Sequence, residues 1–211
     1  MASVYDLKPA FQATLRPLVR SLVAAGVRPN HLTLAAALGS IAIGFALREA
    51  GWRPRLLLLL PIWLLARMAL NAMDGMAARE HGMKSRLGGA LNEVGDVVSD
   101  LALYLPLATL SAGHVWPVFA FALGAVLTEF CGLLGPALGG TRRYEGPMGK
   151  SDRALVIGIL GLVGGLAPRT LLWWPPVLWT ASLLTLATCW NRVALALREP
   201  GGKDAPPAGA A

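Results

Sequence analysis

Between Asn71 and Asp100 the chain reads NAMDGMAAREHGMKSRLGGALNEVGDVVSD, and both ends of this polar stretch run into long apolar segments. A carboxylate left unpaired at the end of an apolar helix is costly, so a chain that keeps several there generally uses them. At about 3.6 residues per turn, Arg67, Asn71 and Asp74 lie along one helical stripe. Asn92, Asp96 and Ser99 form a second stripe, overlapped by Glu93, Asp96 and Asp100. If the two helices pack as an antiparallel hairpin, the oxygens of Asn71, Asp74, Asn92 and Asp96 converge at one depth. No histidine or cysteine joins them, and such a set suits a hard cation, Mg2+ or Mn2+. Gly75, Ala77, Ala78, Gly82, Gly88, Gly89 and Ala90 leave space around these oxygens for a bulky ligand. Arg79 adds a planar donor suited to phosphate oxygens. Together these features describe a site for a metal-bound diphosphate. Glu80, Lys84 and Arg86 read instead as solvated charges of the connecting turn.

The elements that must carry this site are membrane helices. Of 211 residues, 55% are hydrophobic and 15% charged, whereas soluble domains carry about a quarter charged residues. The net charge of +7 is spread between apolar segments, which fits an anionic membrane surface and excludes a nucleic-acid module. Cys131 and Cys189 sit inside apolar runs and support neither a disulfide framework nor a zinc site. The expectation is an all-α integral membrane protein of six spans, Leu32–Leu47, Leu56–Met73, Ala90–Leu110, Val115–Leu138, Ala154–Ala167 and Leu171–Leu197. Residues 1–30 form a preceding interfacial amphipathic helix, with Leu7, Phe11, Leu15, Leu18 and Leu22 at helical spacing and a possible break at Pro17. Residues 31–198 hold the six-span domain, and 199–211 read as a disordered tail. With the N-terminus inside, fourteen Lys and Arg residues face the cytoplasm against four outside, so both termini and the polar hairpin are expected there. Trp52, Trp116, Trp173, Trp174 and Trp179 are expected to form an outer aromatic belt. Gly135-x3-Gly139 and Gly161-x3-Gly165 have the spacing of helix-packing motifs.

At the hairpin the chain resembles the CDP-alcohol phosphotransferase family, whose signature is D-x2-D-G-x2-A-R-x8-G-x3-D-x3-D. The spacing matches throughout, with Asp74, Gly75, Ala78, Arg79, Gly88 and Asp96 on signature positions. A PNxLT-like motif before the first span is present as PNHLT, Pro29–Thr33. Two signature carboxylates are replaced, the first by Asn71 and the third by Asn92, as in a bacterial subgroup carrying the form NALDG…LNExxD. Asparagine keeps a carbonyl oxygen but brings no charge to a dication.

The resemblance implies transfer of a phosphatidyl-type group from a CDP-activated lipid, such as CDP-diacylglycerol, to a polar alcohol, releasing CMP for phospholipid biosynthesis. It implies one or two Mg2+ or Mn2+ ions on Asn71, Asp74, Asn92 and Asp96, with Glu93 able to restore a lost charge. Asp74, Gly75, Ala78, Arg79 and Gly88 would bind CDP, and Asp96 would be the general base. It also implies a homodimer among membrane lipids, in the bacterial inner membrane. A second basic cluster, Arg142, Arg143, Lys150 and Arg153, is expected to bind an anionic acceptor. Glu129 is expected to pair with Arg67 or Arg192; the alternative is that Asn191 and Arg192 cap the site from the sixth span. A small transporter would also hold intramembrane charges but gives no reason for the glycine and arginine spacing. A degenerate member that binds CDP-lipid without turnover is the other alternative.

Overall fold

A computed structural model describes residues 4–199, all of whose regular elements are helical. The helices are α1 (Val4–Ala24), α2 (Pro29–Leu47), α3 (Leu59–Glu80), α4 (Arg86–Tyr104), α5 (Val115–Ala137), α6 (Lys150–Leu166) and α7 (Trp174–Arg198). Short 3-10 turns lead into α3 and α7 and follow α4. Four segments are long and apolar enough to cross a bilayer: Pro29–Leu47, Pro54–Glu80, Ala112–Ala137 and Pro168–Arg198. The other two expected spans coincide with α4 and α6. α4 keeps its charges, and α6 is 17 residues long. The tail beyond residue 199 lies outside the described residues.

Local chemistry sets the helix boundaries. Pro29 occupies the first turn of α2, where its missing N–H costs nothing. The His31 ring accepts a hydrogen bond from the Arg28 backbone N–H at 3.3 Å, which gives that isolated histidine a capping role. α3 and α4 form the expected hairpin. Gly82 turns the chain at φ 66, a conformation that disfavours a Cβ, and the Ser85 hydroxyl caps α4 by accepting from the Gly88 N–H at 2.9 Å.

α1 runs unbroken through Pro17. Its Val19 is buried with Leu32, Met73, Met76 and Ala77, backed by Leu15, Leu22 and Val23. α1 is thereby fastened to the polar end of α3, and Arg16 reinforces the contact by donating to Glu80 at 3.0 Å. The main core lies further along the bundle, around Leu57, Leu60, Tyr104, Leu107, Phe121, Ile157 and Leu178. Trp174 belongs to this core at 1% exposure. The proposed belt therefore loses that member, while Trp52, Trp116, Trp173 and Trp179 remain exposed.

Small residues decide how closely the helices approach. Gly161 and Gly165 seat α6 against Leu57, Leu58 and Leu60, as a packing motif should. Gly135 instead makes room for the Thr141 backbone of the following loop, so the first glycine pair is not a helix–helix contact. Gly44 on α2 faces the Ala102 carbonyl of α4, whose carbon would lie 2.9 Å from an added Cβ. Gly44→Ala is expected to destabilise the protein by about 1–3 kcal/mol, because backbone must move. A lowered unfolding temperature in detergent would register it.

Candidate active site

The hairpin brings most of the signature residues to one cavity, with Asn71 and Asp96 outside its lining. A pocket of about 400 Å³ is lined by Asp74, Gly75, Ala78, Arg79, Gly88 and Asn92, closed by Asn30 and Thr33 of α2 and by Lys84 and Ser85 of the turn. All five residues assigned to CDP line it. Asp74 is 6% exposed, and its Oδ2 accepts the Thr33 hydroxyl at 2.9 Å. Thr33 was not singled out from the sequence, although it is the last residue of PNHLT. Lys84, taken as a solvated turn charge, also lines the cavity. The Arg79 guanidinium lies across Gly75: a Cβ there would meet its Nη1 at 3.0 Å and Nη2 at 3.4 Å. A Cβ on Gly88 would meet Asn30 Oδ1 at 2.9 Å. Both glycines thus keep polar groups of the cavity in place.

Asp96 is 7% exposed and sits among three nitrogen donors. Asn71 Nδ2 donates to its Oδ1 at 3.1 Å and Arg67 Nη2 to the same oxygen at 3.2 Å. The Lys150 ammonium, 35% exposed, pairs with Oδ2. Arg67 also donates to Asp100 at 2.5 Å. Asp100 then accepts from Arg153 at 3.0 Å, and Arg153 donates to Glu129 at 2.7 Å. Arg142 donates to Glu129 at 2.9 Å and pairs with Glu93. Lys150, Asp96, Arg67, Asp100, Arg153, Glu129, Arg142 and Glu93 thus alternate in sign as one chain of ion pairs through α3, α4, α5, α6 and the α5–α6 loop. Four cations balance four carboxylates, which answers how an apolar bundle tolerates them.

This chain corrects several sequence assignments. Arg153 is 0% exposed, and its guanidinium also donates to Thr128 Oγ1 at 2.6 Å and to the Met148 carbonyl at 3.3 Å. It cannot reach an acceptor while those bonds hold. Glu93 turns to Arg142 rather than to the signature oxygens. Glu129 pairs with Arg153 and Arg142, not with Arg67 or Arg192. Arg192 donates instead to the carbonyls of Thr128, Tyr144 and Glu145, fixing the α5–α6 loop rather than capping the cavity.

Arg143 reaches outward to Glu145 at 3.3 Å and to Glu199 at the end of α7. The Thr141 backbone N–H, its hydroxyl and Arg143 together hold the Glu199 carboxyl below the usual carboxylate range. That latch closes the loop over the end of α7.

The signature oxygens are all hard: the Asp74 carboxylate and the Asn92 amide line the cavity, and the Asn71 amide and Asp96 carboxylate, bonded to each other, stand on the same two helices. Two carboxylates and two amides are donors of the type that suits a divalent cation such as Mg2+. Among the described residues no three His, Cys, Asp or Glu side chains gather for a metal.

Comparison with known proteins agrees with this architecture. The sequence pattern of CDP-alcohol phosphatidyltransferase matches residues 26–174. The inner membrane protein YnbA of Escherichia coli strain K12 is 48% identical over 191 residues, covering 90% of this chain and 94% of that protein. The phosphatidylinositol phosphate synthase of Mycobacterium marinum is 25% identical, covering 93% of this chain and 85% of that protein. The fold is shared with crystal structures of Mycobacterium tuberculosis phosphatidylinositol phosphate synthase. The form with CDP-DAG bound has a TM-score of 0.73 at 22% identity, covering 88% of this chain and 94% of that one. The complex with manganese and citrate has the same TM-score and identity, covering 90% of that chain. The signature spacing, the cavity it lines and a match over most of the length lead to one conclusion: the chain belongs to the CDP-alcohol phosphatidyltransferase family, transferases of substituted phosphate groups.

Proposed function

We propose that this enzyme transfers the phosphatidyl group of CDP-diacylglycerol to the hydroxyl of a polar alcohol, at the cytoplasmic ends of α3 and α4 in the bacterial inner membrane. The observation that carries this reading is the single cavity lined by Asp74, Gly75, Ala78, Arg79 and Gly88. The relatives named for phosphatidylinositol phosphate synthesis, one of them holding CDP-DAG, support the donor. The name of the Escherichia coli relative supports the membrane. In this reading α2 to α7 are six spans, with α4 and α6 relying on neighbours to mask their charges, and α1 rests at the cytoplasmic interface. The excess of Lys and Arg on that side supports the orientation.

The diphosphate would lie over Gly75 and Ala78, with Arg79 donating to its oxygens. Asp74, Asp96 and the carbonyl oxygens of Asn71 and Asn92 would hold one Mg2+ or Mn2+; Mn2+ has a precedent in the mycobacterial structure. When bound, that ion supplies electrostatic stabilisation of charge on the phosphoryl oxygens. Asp96 takes the proton of the acceptor hydroxyl as its oxygen bonds to the β-phosphorus, and the bridging P–O bond to CMP breaks. Arg67 and Asn71 keep Asp96 oriented for this step. Arg142, Arg143 and Lys150, all partly exposed, line the side from which an anionic acceptor would come. Arg153 supports them from beneath.

The reading is tested by incubating purified protein with CDP-diacylglycerol, Mn2+ and a panel of hydroxyl acceptors, and measuring CMP and product mass. Acceptor-dependent CMP release is expected. Its absence across glycerol phosphate, inositol phosphate and simple polyols would refute phosphatidyl transfer. Gly75→Ala would push the Arg79 guanidinium aside. Loss of one charge-assisted hydrogen bond, about 1.5 kcal/mol, corresponds to a rise of roughly tenfold in KM for CDP-diacylglycerol. Steady-state kinetics would detect it, with kcat less affected.

A further inference from the structure

We propose that Lys150 is a resident cation of this centre: its ammonium holds the place beside Asp96 that a second divalent ion would need, so the site takes one metal ion per chain. The inference rests on the metal-dependent transfer proposed above and specifies how the site is charged.

The two acidic signature residues are not equivalent. Asp74 accepts the uncharged Thr33 hydroxyl, makes no ion pair among the described residues, and faces the cavity beside Asn92. Asp96 already receives Lys150 on one oxygen and Arg67 with Asn71 on the other. A second dication on the Lys150 side of Asp96 would meet the ammonium directly, with the Arg67 guanidinium on the neighbouring oxygen, and like charges so close repel strongly where water is scarce. Asn71 and Asn92 contribute to the same balance, because neither adds a negative charge to offset a second ion. One dication shared by Asp74, Asn71, Asn92 and Asp96 is the arrangement these charges favour.

Lys150 is also held in register rather than merely nearby. It is the first residue of α6, whose start is fixed by the Gly149 N–H donating to Asp152 Oδ2 at 2.9 Å. Three residues on, Arg153 is anchored to Asp100, which lies one turn beyond Asp96 on α4. The pairs Lys150–Asp96 and Arg153–Asp100 are two rungs between the same helices. The buried rung determines where the outer one falls, and thus points the ammonium at Asp96.

Counting bound Mn2+ on the full-length protein in detergent, from the free-ion electron paramagnetic resonance signal with CDP-diacylglycerol present, tests this directly. Wild type and Lys150→Arg are expected to take up one ion per chain. The variant combining Asn71→Asp, Asn92→Asp and Lys150→Met is expected to take up two. Two ions on wild type would overturn the role of Lys150 while leaving metal-dependent transfer intact. No ion on wild type would remove the metal-dependent reading and this inference with it. A folded triple variant that still binds one ion would also overturn it. The wild-type count decides the matter even if the triple variant does not fold.

Discussion

Asp96→Asn is expected to abolish acceptor-dependent CMP release, lowering kcat by about 1000-fold or more, within the range that loss of a positioned general base produces. The substitution keeps the shape of the side chain and can still accept from Asn71, so the helices should stay packed. What disappears is the charge proposed to take the acceptor proton and to help hold the ion, together with the partner of Lys150 and one of the two partners of Arg67. Because the residues lining the cavity beneath the diphosphate are untouched, KM for CDP-diacylglycerol should change far less than kcat. Rapid-quench measurement of CMP separates the two parameters. Wild-type turnover in this variant would exclude Asp96 as the base.

The largest expected effect on stability belongs to Arg153. Its guanidinium joins Asp100 and Glu129 at 3.0 and 2.7 Å, and all three side chains are buried. Arg153→Ala would leave two carboxylates in the bundle short of a cation, and breaking such a pair typically costs about 3–5 kcal/mol. A marked drop in the unfolding temperature of detergent-solubilised protein is the expected result. Arg153→Lys should recover part of the loss, since one ammonium cannot match the four acceptors that the guanidinium now serves. Arg142→Ala should be milder: Arg142 lies in a loop and is partly exposed. An Arg153→Ala protein as stable as wild type would show that the alternating charges contribute little to the fold.

Much of the site was readable from the chain because it is local. Asp74, Gly75, Ala78 and Arg79 share one helix end, and Gly88 and Asn92 begin the next, so helical period and a short turn suffice to bring them together. The apolar runs likewise marked the positions of α2, α3, α5 and α7. What periodicity could not supply is partner choice across long separations. Arg153 lies 53 residues from Asp100 and 24 from Glu129. From the sequence it was one of four similar cations in a basic loop, with nothing to mark it as the buried one. The same reason explains Glu129, for which Arg67 and Arg192 were the partners expected, and Glu93, whose turn toward Arg142 depends on where the α5–α6 loop lands. Trp174 shared its surroundings with the exposed Trp173, and only the direction of the first turn of α7 separates core from surface.

The alternating charges also bear on how the protein enters its membrane. α4 and α6, the helices that lack the length or apolar composition to cross a bilayer alone, carry Asp96 and Asp100 on one side and Lys150 and Arg153 on the other. Arg67 on α3 is already available to α4 during synthesis, but Arg153 emerges only after α5 has been made. Helices α2 to α5 must therefore hold an incompletely neutralised Asp100 and Glu129 until α6 arrives, so biogenesis is expected to depend on delayed, cooperative release of the later helices from the insertion machinery.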